Sequence, residues 1–333
     1  MAIDFKHQQS AHCENGVTSN MLKYYGIELS EAMIFGIGSG LFFSYMPFLK
    51  VNKIPVTSFR PLPGVIFKRA TRLLGFKVKR KKFGNSQDKA MRELDSLLDR
   101  DIPVGMLVGV YHLVYFPTPY RFHFNAHNLV VYGKKDDKYI ISDPIMETPT
   151  SLTYKELQRV RFAKGVFAPK GHMYWAESVP HLPDVKMAII KGIQKTAKDM
   201  LGIPVPLFGV KGIRYLAKQV RKYPSKLGKR KASQYLGQIV RAQEEIGTGG
   251  AGFRFMYAAF LQESARIMQS DCLQEAADEM TAIGDMWRSF AVETARIVKG
   301  RSKVEDAYNQ AADILMNIAD KEEEVFKKLK QIK

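Results

Sequence analysis

The 333-residue chain changes its hydrophobic period near residue 180. Before that point, short runs rich in β-branched and aromatic residues occupy 102–111, 127–133, 139–143, 165–168 and 172–176, and they alternate with helical stretches such as 86–99. Short apolar or alternating runs bounded by turn residues predict strands, and their mixture with helices predicts an α+β domain. Beyond it, apolar positions recur at helical spacing over 185–201, 209–222, 229–246, 252–269, 272–299 and 302–331. An all-α bundle follows from that pattern. Pro204 and Pro206 separate the first two helices, and the glycine-rich stretch 247–252 separates the third from the fourth. The segment 179–184, with Pro180 and Pro183, predicts a linker between a domain at 1–180 and a helical domain at 181–333.

The candidate chemistry starts at Cys13, within His12-Cys13-Glu14-Asn15-Gly16. Val17, Met21, Leu22, Tyr24 and Tyr25 follow at helical spacing and Gly26 ends the run, which puts Cys13 at a helix N-terminus. There the dipole and the free backbone amides favour thiolate over thiol. A lone cysteine also fits a small buried hydrophobe. What separates the two readings is a β-hairpin downstream that carries His127 and Asp143. Thiol, imidazole and carboxylate in that chain order suggest a papain-like nucleophile, base and orienter. The hairpin makes a geometric demand, because opposed residues share a face only when the register pairs equal parity. That requires an odd connection, of three or five residues within 133–138, and an even loop would separate the two side chains. In the favoured register Leu129, Val131 and Ile141 share their face. His123 is the rival base, while His7 and His12 flank the nucleophile with hydrogen-bonding roles. Gln8 and Gln9 are the candidate side-chain donors to an oxyanion, beside the backbone N–H of Cys13. No metal is expected: Cys13 and Cys272 lie far apart, and the histidines lack zinc-ligand spacing.

Several segments together resemble a known family. The run from His12 through Asn20-Met21-Leu22-Lys23-Tyr24-Tyr25-Gly26-Ile27, with Leu29-Ser30-Glu31-Ala32-Met33-Ile34-Phe35-Gly36, is similar to the N-terminal domain of the butirosin-biosynthesis acyltransferase family. His127-Asn128-Leu129-Val130-Val131-Tyr132-Gly133 and Asp143-Pro144 resemble its histidine and aspartate segments. Ile246-Gly247-Thr248-Gly249-Gly250-Ala251-Gly252-Phe253-Arg254 resembles the helical domain that accompanies it. The resemblance implies a papain-like cysteine acyltransferase that moves an aminoacyl group from an acyl carrier protein thioester to a small-molecule amine acceptor. It implies no bound cofactor, the phosphopantetheine belonging to the donor carrier. One position departs, since Gly109 stands where relatives are expected to carry an aspartate.

Composition bounds the same answer. With 46% hydrophobic and 11% aromatic residues, the chain has the material for two cores. Two cysteines give no disulfide framework, the first residues lack a signal-peptide apolar region, and no apolar run approaches the roughly 20 residues of a spanning helix. A cytoplasmic protein is expected. Net charge is +18, and it is concentrated: 32–87 holds eleven Lys or Arg and no acid, and 200–243 holds ten and no acid. Such fields steer an acidic partner, and an acyl carrier protein fits them. Nucleic acid ranks below it, because no nucleic-acid-binding motif accompanies the charge. The basic amphipathic stretch 212–223 leaves peripheral membrane contact open, as well as a plain bundle helix.

The loop 247–252 also has two readings. It is a tight turn between helices, or a cradle in which Gly249, Gly250 and Arg254 hold the phosphate of the pantetheine arm. The functional expectation is a cysteine-dependent acyltransferase working through a Cys13 acyl-enzyme. The alternatives are a cysteine peptidase or amidase using the same three residues, and a non-catalytic basic binding protein.

Overall fold

The computed structural model describes residues 3–51, 53–245, 248–301 and 306–333, and the chain separates into two units. The first is Met1–Ile34 with Thr71–Asp184; the second is Phe35–Ala70 with Val185–Lys333. The boundary after Asp184 falls at the C-terminal end of the expected linker. The segment Phe35–Ala70 does not follow the expected 1–180 division, because its aromatic residues pack in the helical unit. Phe35 stacks on Phe253 at 4.9 Å, and Phe43 and Phe59 both pack on Trp287.

The first unit is built on a six-stranded antiparallel sheet. Its strands are β3 (Lys77–Lys81), β8 (Met173–Ser178), β4 (Val104–Val108), β5 (His127–Lys135), β6 (Lys138–Ser142) and β7 (Thr150–Thr153), in that spatial order. Helices α1 (Cys13–Tyr24), α4 (Gln87–Leu98) and α5 (Tyr154–Arg161) accompany it, while α2 (Glu31–Ile37) and α3 (Val65–Leu73) lie at the two ends of the segment 35–70. The central position of β5 explains its sequence, since His127 to Gly133 are all buried and a strand covered on both faces reads as a continuous apolar run. Residues 77–81 of the basic run form the edge strand β3, where Lys79 and Lys81 pair with Glu177 and Glu93. Lysines on an edge strand discourage pairing with another chain. The expected strand at 165–168 is instead a loop with Phe167 at φ 56°, held by Asn125, whose Nδ2 donates to the carbonyls of Lys164 and Val166. Strand β7 was hidden by its polar residues, and it runs directly into α5, which starts at a capping box of Thr153 with Glu156.

The second unit contains the hairpin β1 (Ser44–Val51) and β2 (Ile54–Ser58) and the helices α6 (Val185–Gly202), α7 (Gly209–Glu244), α8 (Arg254–Met268), α9 (Asp271–Val298) and α10 (Ala307–Leu329). The helical period predicted these well. α7 runs through the expected break with non-helical geometry at Gly228, while residues 302–305 of the last predicted helix lie outside the described residues. On α7, Ile213, Leu216, Ala217 and Val220 are buried, and Arg214 pairs with Asp320 and Glu323 of α10. The amphipathic stripe is therefore a bundle face, and its apolar side is not available to a membrane. Among the described residues no helix is long and apolar enough to cross a membrane.

Candidate active site

Helix α1 delivers Cys13 by its cap. His12 is the N-cap residue, its Nδ1 accepts the N–H of Asn15, and Cys13 is the first helical residue. The chain ahead of the helix is fixed on two sides. Glu31 accepts the amides of Ala11 and His12, and the N–H of Ser10 donates to the carbonyl of Pro144. His7 adds bonds to Ser142 Oγ at 2.8 Å and to the carbonyl of Met146 at 3.0 Å. The segment before Cys13 is thereby tied to the turn that follows β6, which is where Asp143 sits.

The hairpin meets the parity requirement by a route not expected from sequence. Its loop is two residues, Asp136 and Asp137, both at positive φ as a tight I′-type turn demands. An even loop alone would place His127 and Asp143 on opposite faces. A β-bulge between Val131 and Gly133 adds one residue, so that Val131 pairs with Ile141 and the continuing register sets Asp143 opposite Leu129, on the face of His127. The predicted odd connection is corrected to an even loop plus one bulge residue. The outcome is a hydrogen bond of 2.7 Å from His127 Nε2 to Asp143 Oδ2.

The imidazole is thereby oriented with Nδ1 left for the thiol, and His127 shares a hydrogen bond with Cys13. His127 is 4% exposed and Asp143 0%, whereas Cys13 is only partly covered. The group that must meet a substrate is thus the accessible one. Burial works to lower the His127 pKa, but the neighbouring Asp143 carboxylate and the charge on Cys13 outweigh it and push it up to about 10. The raised value favours the imidazolium form of His127 beside the Cys13 sulfur. Phe116 packs edge-on against the ring at 5.6 Å.

Asp143 accepts three hydrogen bonds. Oδ2 accepts from His127 and from the hydroxyl of Tyr115 at 2.8 Å, and Oδ1 accepts the N–H of Ile145 at 3.1 Å. Burial and the adjacent carboxylate hold the Tyr115 hydroxyl protonated, well above its ordinary pKa. Tyr115 escaped notice in the sequence because it lies in an aperiodic loop. Tyr115→Phe is expected to lower melting stability by about 1 kcal/mol and turnover several-fold, measured by thermal denaturation beside steady-state rates.

Other expected site residues fall elsewhere. His123 is exposed and stacks on Tyr111 at 4.2 Å, which removes it as the rival base. Gln8 is exposed and its Oε1 accepts from Lys23, ten residues along α1 or about 15 Å from Cys13 at 1.5 Å per residue. Gln9 is exposed and donates its amide to the carbonyl of Ile145 at 3.4 Å. A Cβ on Gly109 would meet Ala163 Cβ at 2.4 Å and Asn125 Oδ1 at 2.8 Å, so the aspartate expected there has no room. Two residues beside Cys13 were missed: Asn128, whose Nδ2 lies 3.9 Å from Sγ, and Tyr174, which donates to Asn128 Oδ1 at 2.8 Å.

The glycine loop of the second unit is likewise corrected. Gly247 lies outside the described residues. The N–H of Gly250 goes to Thr248 Oγ1 and that of Ala251 to the Glu244 carboxylate, which stands where a phosphate would have to approach. Gly249 is an exposed turn residue at φ 66°. Arg254 is 0% exposed: it forms a two-point ion pair with Glu322 at 2.9 and 3.1 Å, donates to the carbonyl of Gly252, and lies over the Trp287 ring at 4.9 Å. Its charge is consumed in the core. Arg254→Ala would strand the Glu322 carboxylate there and is expected to cost about 3–5 kcal/mol of stability, measured by denaturant unfolding of the full chain.

Comparison with known proteins gives two family matches along the chain. The family described as "Butirosin biosynthesis protein H, N-terminal" matches residues 12–144, and "Domain of unknown function (DUF4872)" matches residues 155–329, a little over half of the chain. Among solved structures, a candidate C39-like peptidase from Bacillus anthracis is similar at 14% identity and a TM-score of 0.35, over 54% of this chain and 98% of that one. No curated protein matches the chain significantly.

Proposed function

We infer that this chain, which belongs to the DUF4872 family and carries the butirosin biosynthesis protein H N-terminal domain, is a cysteine-dependent acyltransferase. It takes an acyl or aminoacyl group from an acyl carrier protein thioester and passes it to an amine. The observation that carries the reading is the chain of contacts Cys13, His127, Asp143, with the thiol at a helix N-terminus and the carboxylate wholly buried. Such an arrangement favours ionisation of the nucleophile and holds the base oriented.

In the first half-reaction Cys13 Sγ attacks the thioester carbonyl, and the carrier's phosphopantetheine thiolate leaves with the proton of His127. In the second, His127 removes a proton from the attacking amine, and Cys13 leaves as thiolate. Thiol for thiol exchange is nearly isoenergetic, so positioning and oxyanion stabilisation make up most of the demand. The exposed basic positions Lys226, Lys229, Arg230 and Lys231 are complementary to an acidic carrier.

The test offers acyl carrier protein thioesters together with a panel of amines, and separately offers simple amides without carrier. The expected result is amide product that depends on the carrier and exceeds hydrolysis. Turnover of amides at the same rate without any carrier would replace this reading with a peptidase or amidase.

A further inference from the structure

We propose that Asn128 is the side-chain donor to the oxyanion that forms on the Cys13 adduct, and that Tyr174 is the positioning residue that aims it. The assignment rests on Cys13 being the acyl-bearing nucleophile. Gln8 accepts from Lys23 and Gln9 donates to the carbonyl of Ile145, whereas an amide from β5 comes directly to the sulfur. Asn128 Nδ2 stands 3.9 Å from Sγ. When a carbonyl carbon is bonded to sulfur, its oxygen lies about 2.7 Å from that sulfur, so an amide nitrogen at this separation can reach the oxygen at about 2.8 Å, the distance an oxyanion donor requires.

The direction of the amide is fixed from both ends. Nδ2 also donates to the carbonyl of Ala126 at 3.3 Å, which only a nitrogen can do, and Oδ1 accepts the Tyr174 hydroxyl at 2.8 Å. Tyr174 is held in turn by the sheet. It lies opposite Gly105, where a Cβ would come within 2.1 Å of the tyrosine ring, so the glycine of β4 makes the space for that ring. Burial, with Glu14 and Cys13 nearby, keeps the hydroxyl protonated and therefore a donor. Asn128 is itself buried, so the amide is not competed for by bulk water. In the step itself the Sγ lone pair forms the S–C bond and the carbonyl π pair moves onto oxygen, toward Asn128 Nδ2. Collapse restores the carbonyl and expels the leaving group with its bonding pair.

The experiment compares two reactions of the same thiolate. Acylation by p-nitrophenyl acetate passes through an oxyanion and releases nitrophenolate; alkylation by iodoacetamide forms no oxyanion. In wild type the acetyl group is expected on Cys13, faster than on free cysteine. Asn128→Ala is expected to slow acylation by about 10²–10³-fold while alkylation changes several-fold at most. Tyr174→Phe, which removes a single hydroxyl, is expected to slow acylation about tenfold with alkylation unchanged. Asn128→Asp keeps the shape and puts an acceptor at the oxyanion, and is expected to be at least as slow as Asn128→Ala. Equal slowing of both reactions in these variants, or no slowing of acylation, overturns the assignment while Cys13 stays the nucleophile. Wild-type Cys13 acylated no faster than free cysteine overturns the nucleophile reading and this assignment with it.

Discussion

Cys13→Ala is expected to remove acyl capture and to lower turnover by about 10⁴-fold or more. The size follows from what remains. Without sulfur there is no covalent intermediate, so His127 and Asp143 are left as a base with nothing to activate, and any residual rate comes from binding and the helix dipole alone. The folded state gains or loses little from the change itself, since Cys13 is partly exposed and its neighbours keep their anchors to Glu31 and Pro144. Intact mass, rates and melting temperature on one preparation separate the two effects. A variant that melts like wild type and transfers no acyl group is the predicted result. The variant should also lower the pH at which His127 gives up its proton, because the charge on Cys13 is one of the two partners that raise it.

Asp143→Asn is the second large effect, expected at about 10²–10⁴-fold in turnover together with a stability loss of about 1–3 kcal/mol. In papain-like sites an asparagine can orient the base, but the surroundings of Asp143 are built for a carboxylate. One oxygen accepts from Ile145 and the other from His127 and Tyr115, so an amide NH₂ must face a donor in either orientation. The pH dependence gives an independent check with a definite sign. The His127 pKa is raised in the folded state, to about 10 from an ordinary value near 6.5. Its contribution to stability is therefore complete below about pH 6.5 and is lost as pH climbs from there through about 10. Asp143→Asn removes the stronger of the two charges responsible, and should flatten that decline. Chemical denaturation of wild type and variant across pH 6 to 10 measures it.

What the chain disclosed in advance follows the physics of each element. The bundle helices were legible because each buries one stripe, and the repeat survives in composition from α6 to α9. The position of Cys13 was legible because the apolar residues from Val17 to Tyr25, stopped by Gly26, repeat at helical spacing and lead back to it. β3 and β7 were not, since an edge strand of lysines and a strand of threonines carry no apolar alternation. The pairing of His127 with Asp143 was read correctly in kind and wrongly in route. A bulge is one residue of local backbone geometry set by the sheet around it, and nothing at Tyr132 announces it. Phe35–Ala70 was misassigned for a similar reason. Chain continuity placed it with the first domain, whereas Phe43 and Phe59 find their ring partners near Trp287, more than two hundred positions later. Arg254 followed the same logic. In sequence it is a cation after a glycine loop, and only the fold supplies Glu322.

The most direct test of the central claim is peptide-level mass mapping of the full chain after brief exposure to a panel of acyl carrier protein thioesters. The account predicts one acyl group, carried on the peptide that contains Cys13, discharged when an accepting amine is added. Acyl groups on Cys272 or on scattered lysines, with Cys13 unmodified yet alkylated readily by iodoacetamide, would contradict it.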